Sequence, residues 1–179
     1  MVRTFVAVDL PDEMRARIGE AAEGLRGSEA RLTFVDPALI HVTLAFLGEV
    51  DPDRLPAIAD ALSAVRWSPF DLAVGPIAAN SRSSPRTIWC DTRDDGELAA
   101  LARAVADALV PLGYVPERRP FRGHATVARV KSFHPSLPGR LGALPRDGFG
   151  TFRVDALRLK KSTLTPAGPV YETLAEVRP

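Results

Sequence analysis

The chain is poor in the residues that redox, disulfide and metal chemistry need. A single cysteine, Cys90, cannot form an internal disulfide. It sits in an apolar run, Thr87-Ile88-Trp89-Cys90, where a buried thiol in a reducing cytoplasm is the simple expectation. There are only three histidines, and two of them with one isolated cysteine make no metal-ligand set at a recognisable spacing. Charge of one sign is also missing: the net charge is +1, so any nucleic-acid contact must be a local patch. No apolar run approaches the length of a membrane span, and the stretch Met1 to Asp9 lacks the longer apolar segment of a signal peptide. Only three of the 23 basic residues are lysine, which reads as a compositional bias rather than a function. What remains, 46% apolar and 25% charged over 179 residues, is an ordinary globular composition with enough chain for one domain or two small lobes sharing a core.

Against that background one pattern stands out. His41-Val42-Thr43-Leu44 returns as His124-Ala125-Thr126-Val127, so two of the three histidines share one local pattern. Both copies run into β-prone apolar residues, Ala45-Phe46-Leu47 and Ala128-Arg129-Val130. On a strand, alternation sets His41 and Thr43 on one face with Val42 and Leu44 behind, and likewise His124 and Thr126 with Ala125 and Val127 behind. A pseudo-twofold relation between the halves then converges two imidazoles and two hydroxyls on one cleft. Such a set, without a nucleophile, suits in-line opening of a strained cyclic phosphodiester. One imidazole takes a proton from water, the other protonates the leaving oxygen, and the hydroxyls meet the phosphoryl charge. From the residues alone the acid and base roles are interchangeable.

Basic residues crowd the second copy: Arg118, Arg119, Arg122, Arg129 and Lys131. Guanidinium forks match phosphate geometry, so Arg122 and Arg129 are candidate phosphate ligands. On strict alternation Arg129 faces away from His124, so it serves a different surface unless the strand end twists. The bland readings are a solvated basic surface, a loop position for His134, and core positions for Phe34 and Phe46.

The remaining pattern reads as mixed strands and helices. Strands are expected near 5–8, 70–77, 86–91, 124–130 and 170–177, with a strand pair at 32–35 and 40–47 and one long strand carrying Phe152, Val154, Leu157 and Leu159. Helices follow Pro11 (Met14, Ile18, Ala21, Leu25 inward), Asp51-Pro52 (Leu55, Ile58, Leu62, Val65) and Asp94-Asp95 (Leu98, Leu101, Val105, Leu109). Residues 75–85 and 135–150, rich in Pro and Gly, read as loops. The fold class is α+β: one domain, 1–179, of two similar halves.

The chain resembles the 2H phosphoesterases, and within them the RNA 2',3'-cyclic phosphodiesterases, also called 2'-5' RNA ligases. The resemblance rests on Arg3 to Pro11, Leu39 to Val50, Pro120 to Val130 and Ser162 to Tyr171. It implies two lobes, each an antiparallel sheet with helices outside and the cleft between the sheets, and cofactor-free, metal-free conversion of a terminal RNA 2',3'-cyclic phosphate to a 2'-phosphomonoester, with His41 as proton donor, His124 as acceptor, and Thr43 and Thr126 binding phosphate. It also implies a reverse, ligating reaction. Gly123 stands where the family often has Pro, a change expected to loosen the start of that strand, and Phe34 where it often has Trp. Alternatives are a cyclic phosphodiesterase acting on small nucleotides or ADP-ribose cyclic phosphate, and a non-catalytic RNA- or nucleotide-binding module. A cytoplasmic monomer without membrane or obligate protein partner is the expected setting.

Overall fold

The computed structural model describes residues 1–166 and 168–179; Ala167, within the last segment of the resemblance, lies outside the described residues. Among them, nine strands and four α-helices form an α+β fold. In chain order these are β1 (Val2–Asp9), α1 (Asp12–Ala22), β2 (Arg31–Phe34), β3 (His41–Val50), α2 (Leu55–Ser63), β4 (Phe70–Ala79), β5 (Thr87–Arg93), α3 (Glu97–Leu109), β6 (His124–Ser132), α4 (Ser136–Gly142), β7 (Gly150–Val154), β8 (Leu157–Thr165) and β9 (Gly168–Val177).

The strand order is β7-β4-β5-β6-β3-β1-β8-β9, every pairing antiparallel, with β2 added beside β6. The two expected sheets are therefore joined in the middle, where β3 meets β6 through one pair, Val42 with Ala125. These are the equivalent residues of the two motifs. Equivalent positions facing each other across an antiparallel ladder are what a twofold axis through that ladder produces. The rest of the order obeys the same symmetry, β1 matching β5, β8 matching β4 and β9 matching β7. Each half supplies a strand to the other: β4 follows α2 yet lies beside β5, and β8 follows β7 yet lies beside β1.

The helices form where amphipathic spacing meets a start signal. Asp12 and Glu13 occupy the first turn of α1, which buries Met14, Ile18 and Ala22. The Asp51 carboxylate accepts from the Asp53 amide (3.1 Å) in a 3-10 turn ahead of α2. In α3, Leu98, Leu101, Val105 and Leu109 are all buried, and Gly113 (φ +83°) ends the segment in the left-handed region. Among the described residues no helix is long and apolar enough to cross a membrane.

Four expectations are corrected. The strands at 31–34 and 41–50 do not pair; β2 crosses to β6, with a 3-10 turn at Pro37–Leu39 between them. The expected long strand is two, β7 on β4 and β8 on β1. The phase slip was visible, since Val154 to Leu157 is an odd step and cannot keep one face. The 135–150 loop holds α4, a seven-residue helix that contains Pro138 and two glycines and survives by burying Leu137. Phe46 is not core but 45% exposed.

Candidate active site

The two motif strands carry the same burial sequence over seven residues. His41 and His124 are half-buried, Val42 and Ala125 fully buried, Thr43 and Thr126 half-buried, and Leu44, Ala45, Val127 and Ala128 buried. Phe46 and Arg129 are then exposed. Both copies break alternation at the same place. Between β1 and β3 the register skips Leu44, and between β5 and β6 it skips Val127. Each is a β-bulge, which turns the following residues over. Ala45 and Ala128 go into the core, and the side chains of Phe46 and Arg129 return to the face of the histidines. This corrects the expectation from strict alternation. Arg129 is close enough to Tyr171 for its charge to counter the burial that raises the Tyr171 phenol, and Tyr171 packs edge-on to His41.

Carrying the Val42–Ala125 register one residue each way sets His41 opposite Thr126 and Thr43 opposite His124, all on one face. The two histidines are then diagonal neighbours, about 7–8 Å apart in a regular ladder, a span that admits a phosphoryl group.

Both imidazoles are held alike. His41 Nδ1–H donates to the Leu39 carbonyl (2.7 Å), and His124 Nδ1–H donates to the Arg122 carbonyl (2.9 Å). A carbonyl can only accept, so in each neutral ring Nδ1 carries the proton and Nε2 is left as the acceptor nitrogen. His41 Nε2 meets Thr43 Oγ1 at 3.1 Å.

Their surroundings differ. His41 stacks on Phe5 (4.8 Å, 26°) and lies edge-on to Tyr171 (5.4 Å). Burial pushes its pKa below the ordinary value; the Leu39 bond and the Asp9 carboxylate oppose this, while Lys160 and Arg15 add to it. His124 leans on Trp89 (4.4 Å, 41°), and the Arg122 guanidinium covers the same indole (5.1 Å). Each histidine also faces an aspartate across its ladder, Asp9 opposite His41 and Asp91 opposite His124. Asp9 receives Lys160 Nζ on both oxygens (2.6 and 2.7 Å), and Asp91 receives Arg122 Nη2 (3.0 Å to each).

Asp9, Asp91, Phe5, Trp89, Lys160 and Tyr171 were missed from the sequence. One signal was available: an aspartate ends an apolar strand 32 and 33 residues ahead of the two histidines (41 − 9 and 124 − 91). Of the expected residues, His41, Thr43, His124, Thr126 and Arg129 share one face, whereas the Arg122 side chain is engaged by Asp91 and Trp89. His134 lies elsewhere, with Ser136 and Glu29. Gly123 is not loose: a Cβ there would lie 2.3 Å from Thr92 Oγ1 and 2.4 Å from Leu98 Cδ2. Among the described residues no three His, Cys, Asp or Glu side chains converge as a metal-ligand set.

The chain matches the family model described as LigT like Phosphoesterase twice, over residues 8–89 and 92–171, one match for each motif. It is 36% identical over 174 residues to the RNA 2',3'-cyclic phosphodiesterase of Archaeoglobus fulgidus, covering 97% of this chain and 98% of that protein. It is 32% identical over 183 residues to the protein of the same name from Methanothermobacter thermautotrophicus, covering 99% and 98%. Among solved structures, E. coli LigT complexed with 3'-AMP superposes with a TM-score of 0.83 at 26% identity, covering 99% of this chain and 97% of that one.

Proposed function

The chain belongs to the LigT-like phosphoesterases, and on that premise we propose that it hydrolyses RNA terminal 2',3'-cyclic phosphates to 2'-phosphomonoesters, by paired histidines and without a metal. The observation that carries the reading is the symmetric pairing of the motif strands at Val42 and Ala125, with each Nδ1 tied to the carbonyl two residues back. Two imidazoles so held keep their Nε2 atoms for proton transfer to and from a ligand on one face.

In the proposed reaction the cyclic phosphate lies between the rings. His124 Nε2 takes a proton from the attacking water as the water oxygen bonds to phosphorus. The bond from phosphorus to the 3' oxygen breaks on the opposite side, and His41 Nε2–H protonates that oxygen. The rings end with exchanged protonation states and are reset by solvent. When His41 is protonated, its Nε2 no longer accepts from the Thr43 hydroxyl, whose hydrogen is then free for a phosphoryl oxygen while Nε2–H faces the leaving oxygen; Thr126 serves the other side and Arg129 adds a cation. The lowered pKa of His41 opposes its role as acid in the free protein. The charge of a bound phosphate counters that effect by favouring the imidazolium.

The test is turnover of an RNA ending in a 2',3'-cyclic phosphate, in EDTA, with the product's phosphate position mapped. His41→Ala and His124→Ala are each expected to lose about 10²- to 10⁴-fold in kcat. A metal requirement, or full activity in both variants, overturns the mechanism. A second reading, action on small cyclic nucleotides, is favoured by the nucleotides 3'-AMP and NADP+ held by E. coli LigT. Comparing mononucleotide with oligonucleotide substrates separates the two. Assaying the same RNA ends for 2'-5' joining tests the reverse reaction.

A further inference from the structure

The two histidines are held by carbonyls of very different provenance. The Leu39 carbonyl belongs to a 3-10 turn closed by backbone bonds (Leu39 N–H to Asp36 O, 2.8 Å; Ile40 N–H to Pro37 O, 3.1 Å) and anchored by the buried Ile40. The Arg122 carbonyl lies at the end of residues 114–123, which contain no helix or strand. Its position is fixed from the side. The Arg122 guanidinium covers Trp89, on which His124 itself leans, and its Nη2 donates to both oxygens of Asp91, the residue opposite His124 in the ladder. The next residue, Gly123, accepts from the Thr92 amide (3.3 Å) and leaves no room for a Cβ against Thr92 and Leu98.

We propose that Arg122 is a positioning residue for His124 rather than a phosphate ligand: Asp91 and Trp89 hold its side chain so that its carbonyl fixes the Nδ1–H tautomer and aims Nε2 into the cleft. This rests on the reading of His124 as a reacting group. Asp91 takes Nη2 on both oxygens and the guanidinium lies over Trp89, so the side chain is turned to these two partners, while Nη1 and Nε keep three hydrogens and experiment must separate the two roles. The two roles also predict opposite effects of removing Asp91. A phosphate-binding arginine is released by that change, and substrate binding stays level or tightens. A positioning arginine loses its anchor, and kcat falls.

The experiment compares Arg122→Ala, Asp91→Ala, the double variant and Arg122→Lys in kinetics and in 15N NMR of the histidine rings without substrate. Positioning predicts a loss of roughly tenfold in kcat for either single variant with KM nearly unchanged, no further loss in the double variant, and partial recovery in Arg122→Lys. It also predicts that His124 passes from the Nδ1–H form to a mixture of tautomers while His41 keeps its own. An unchanged tautomer in both single variants overturns the proposal. So does a rise in KM for Arg122→Ala with a flattened salt dependence while Asp91→Ala stays fully active. The ring NMR is read without turnover, so it stands or falls separately from the cyclic phosphodiesterase reading. Arg122→Ala and Asp91→Ala are surface changes (side chains 63% and 37% exposed), so the fold is retained.

Discussion

At the scale of single residues, the chemistry proposed for the site follows from how two imidazoles are tied. Each donates from Nδ1 to a backbone oxygen, so Nε2 is the nitrogen left for a ligand. The environments then separate the pair, because burial lowers the His41 pKa from its ordinary 6.5. The sign gives a test of roles. If His41 is the acid, kcat/KM with a cyclic phosphate falls on the alkaline side, with a midpoint below 6.5, because the required imidazolium is lost early. If His41 is the base, that same midpoint governs an acid limb, and the role assignment reverses. A pH series on wild type and on a Lys160→Met variant decides between them: removing the ammonium that lowers the His41 pKa moves the His41 limb upward in pH. The threonines give a second expectation. Thr43→Val and Thr126→Val keep shape and lose the hydroxyl, and a drop of about 10²-fold in kcat with modest change in KM is expected for each. A change confined to KM would mean that these hydroxyls bind substrate and transition state equally.

At the scale of the element, the repeated bulge decides what the motif strands present. Skipping Leu44 and Val127 turns Phe46 and Arg129 to the working face. Arg129→Ala is therefore expected to weaken RNA binding and to reduce the salt slope of log K by about 1; unchanged binding would place Arg129 on the opposite face. The start of β6 makes a separate prediction. Gly123→Ala forces a Cβ against Thr92 and Leu98, and a stability loss of about 1–3 kcal/mol is expected in denaturant titration. Elements with strong periodicity were legible in the sequence: α1, α2, α3 and the motif strands stand where spacing put them. The missed pieces share one cause. Helix α4 has poor propensity and exists because Leu137 is buried, and the bulges depend on the partner strand, which no local pattern encodes.

At the scale of the whole molecule, symmetry and exchange act together. The motif strands share one ladder pair, but β2 and β4 cross to the side of β6, β8 and β9 cross to the side of β3, α1 and α3 each touch the motif strand of the other half, and residues of both halves enter one hydrophobic cluster. Neither half can complete its sheet alone. Fragments 1–85 and 86–179, divided between β4 and β5 and expressed separately, are expected to lack cooperative folding, while the full chain unfolds in one transition seen alike by far-UV dichroism and by Trp67 and Trp89 fluorescence. Two separated transitions would show lobes that are independently stable.

The sequence by itself determined which side chains make up the candidate site. His-x-Thr on a strand fixes which side chains share a face, because alternation is a property of the backbone, and its recurrence announces the pairing of two such faces. Only the tertiary structure decided which cations reach that face. Arg129 gains it through a bulge, and Arg122 is drawn aside by Asp91 and Trp89. Both outcomes depend on hydrogen bonds and contacts between strands distant in the chain, and periodicity along one segment carries no information about them.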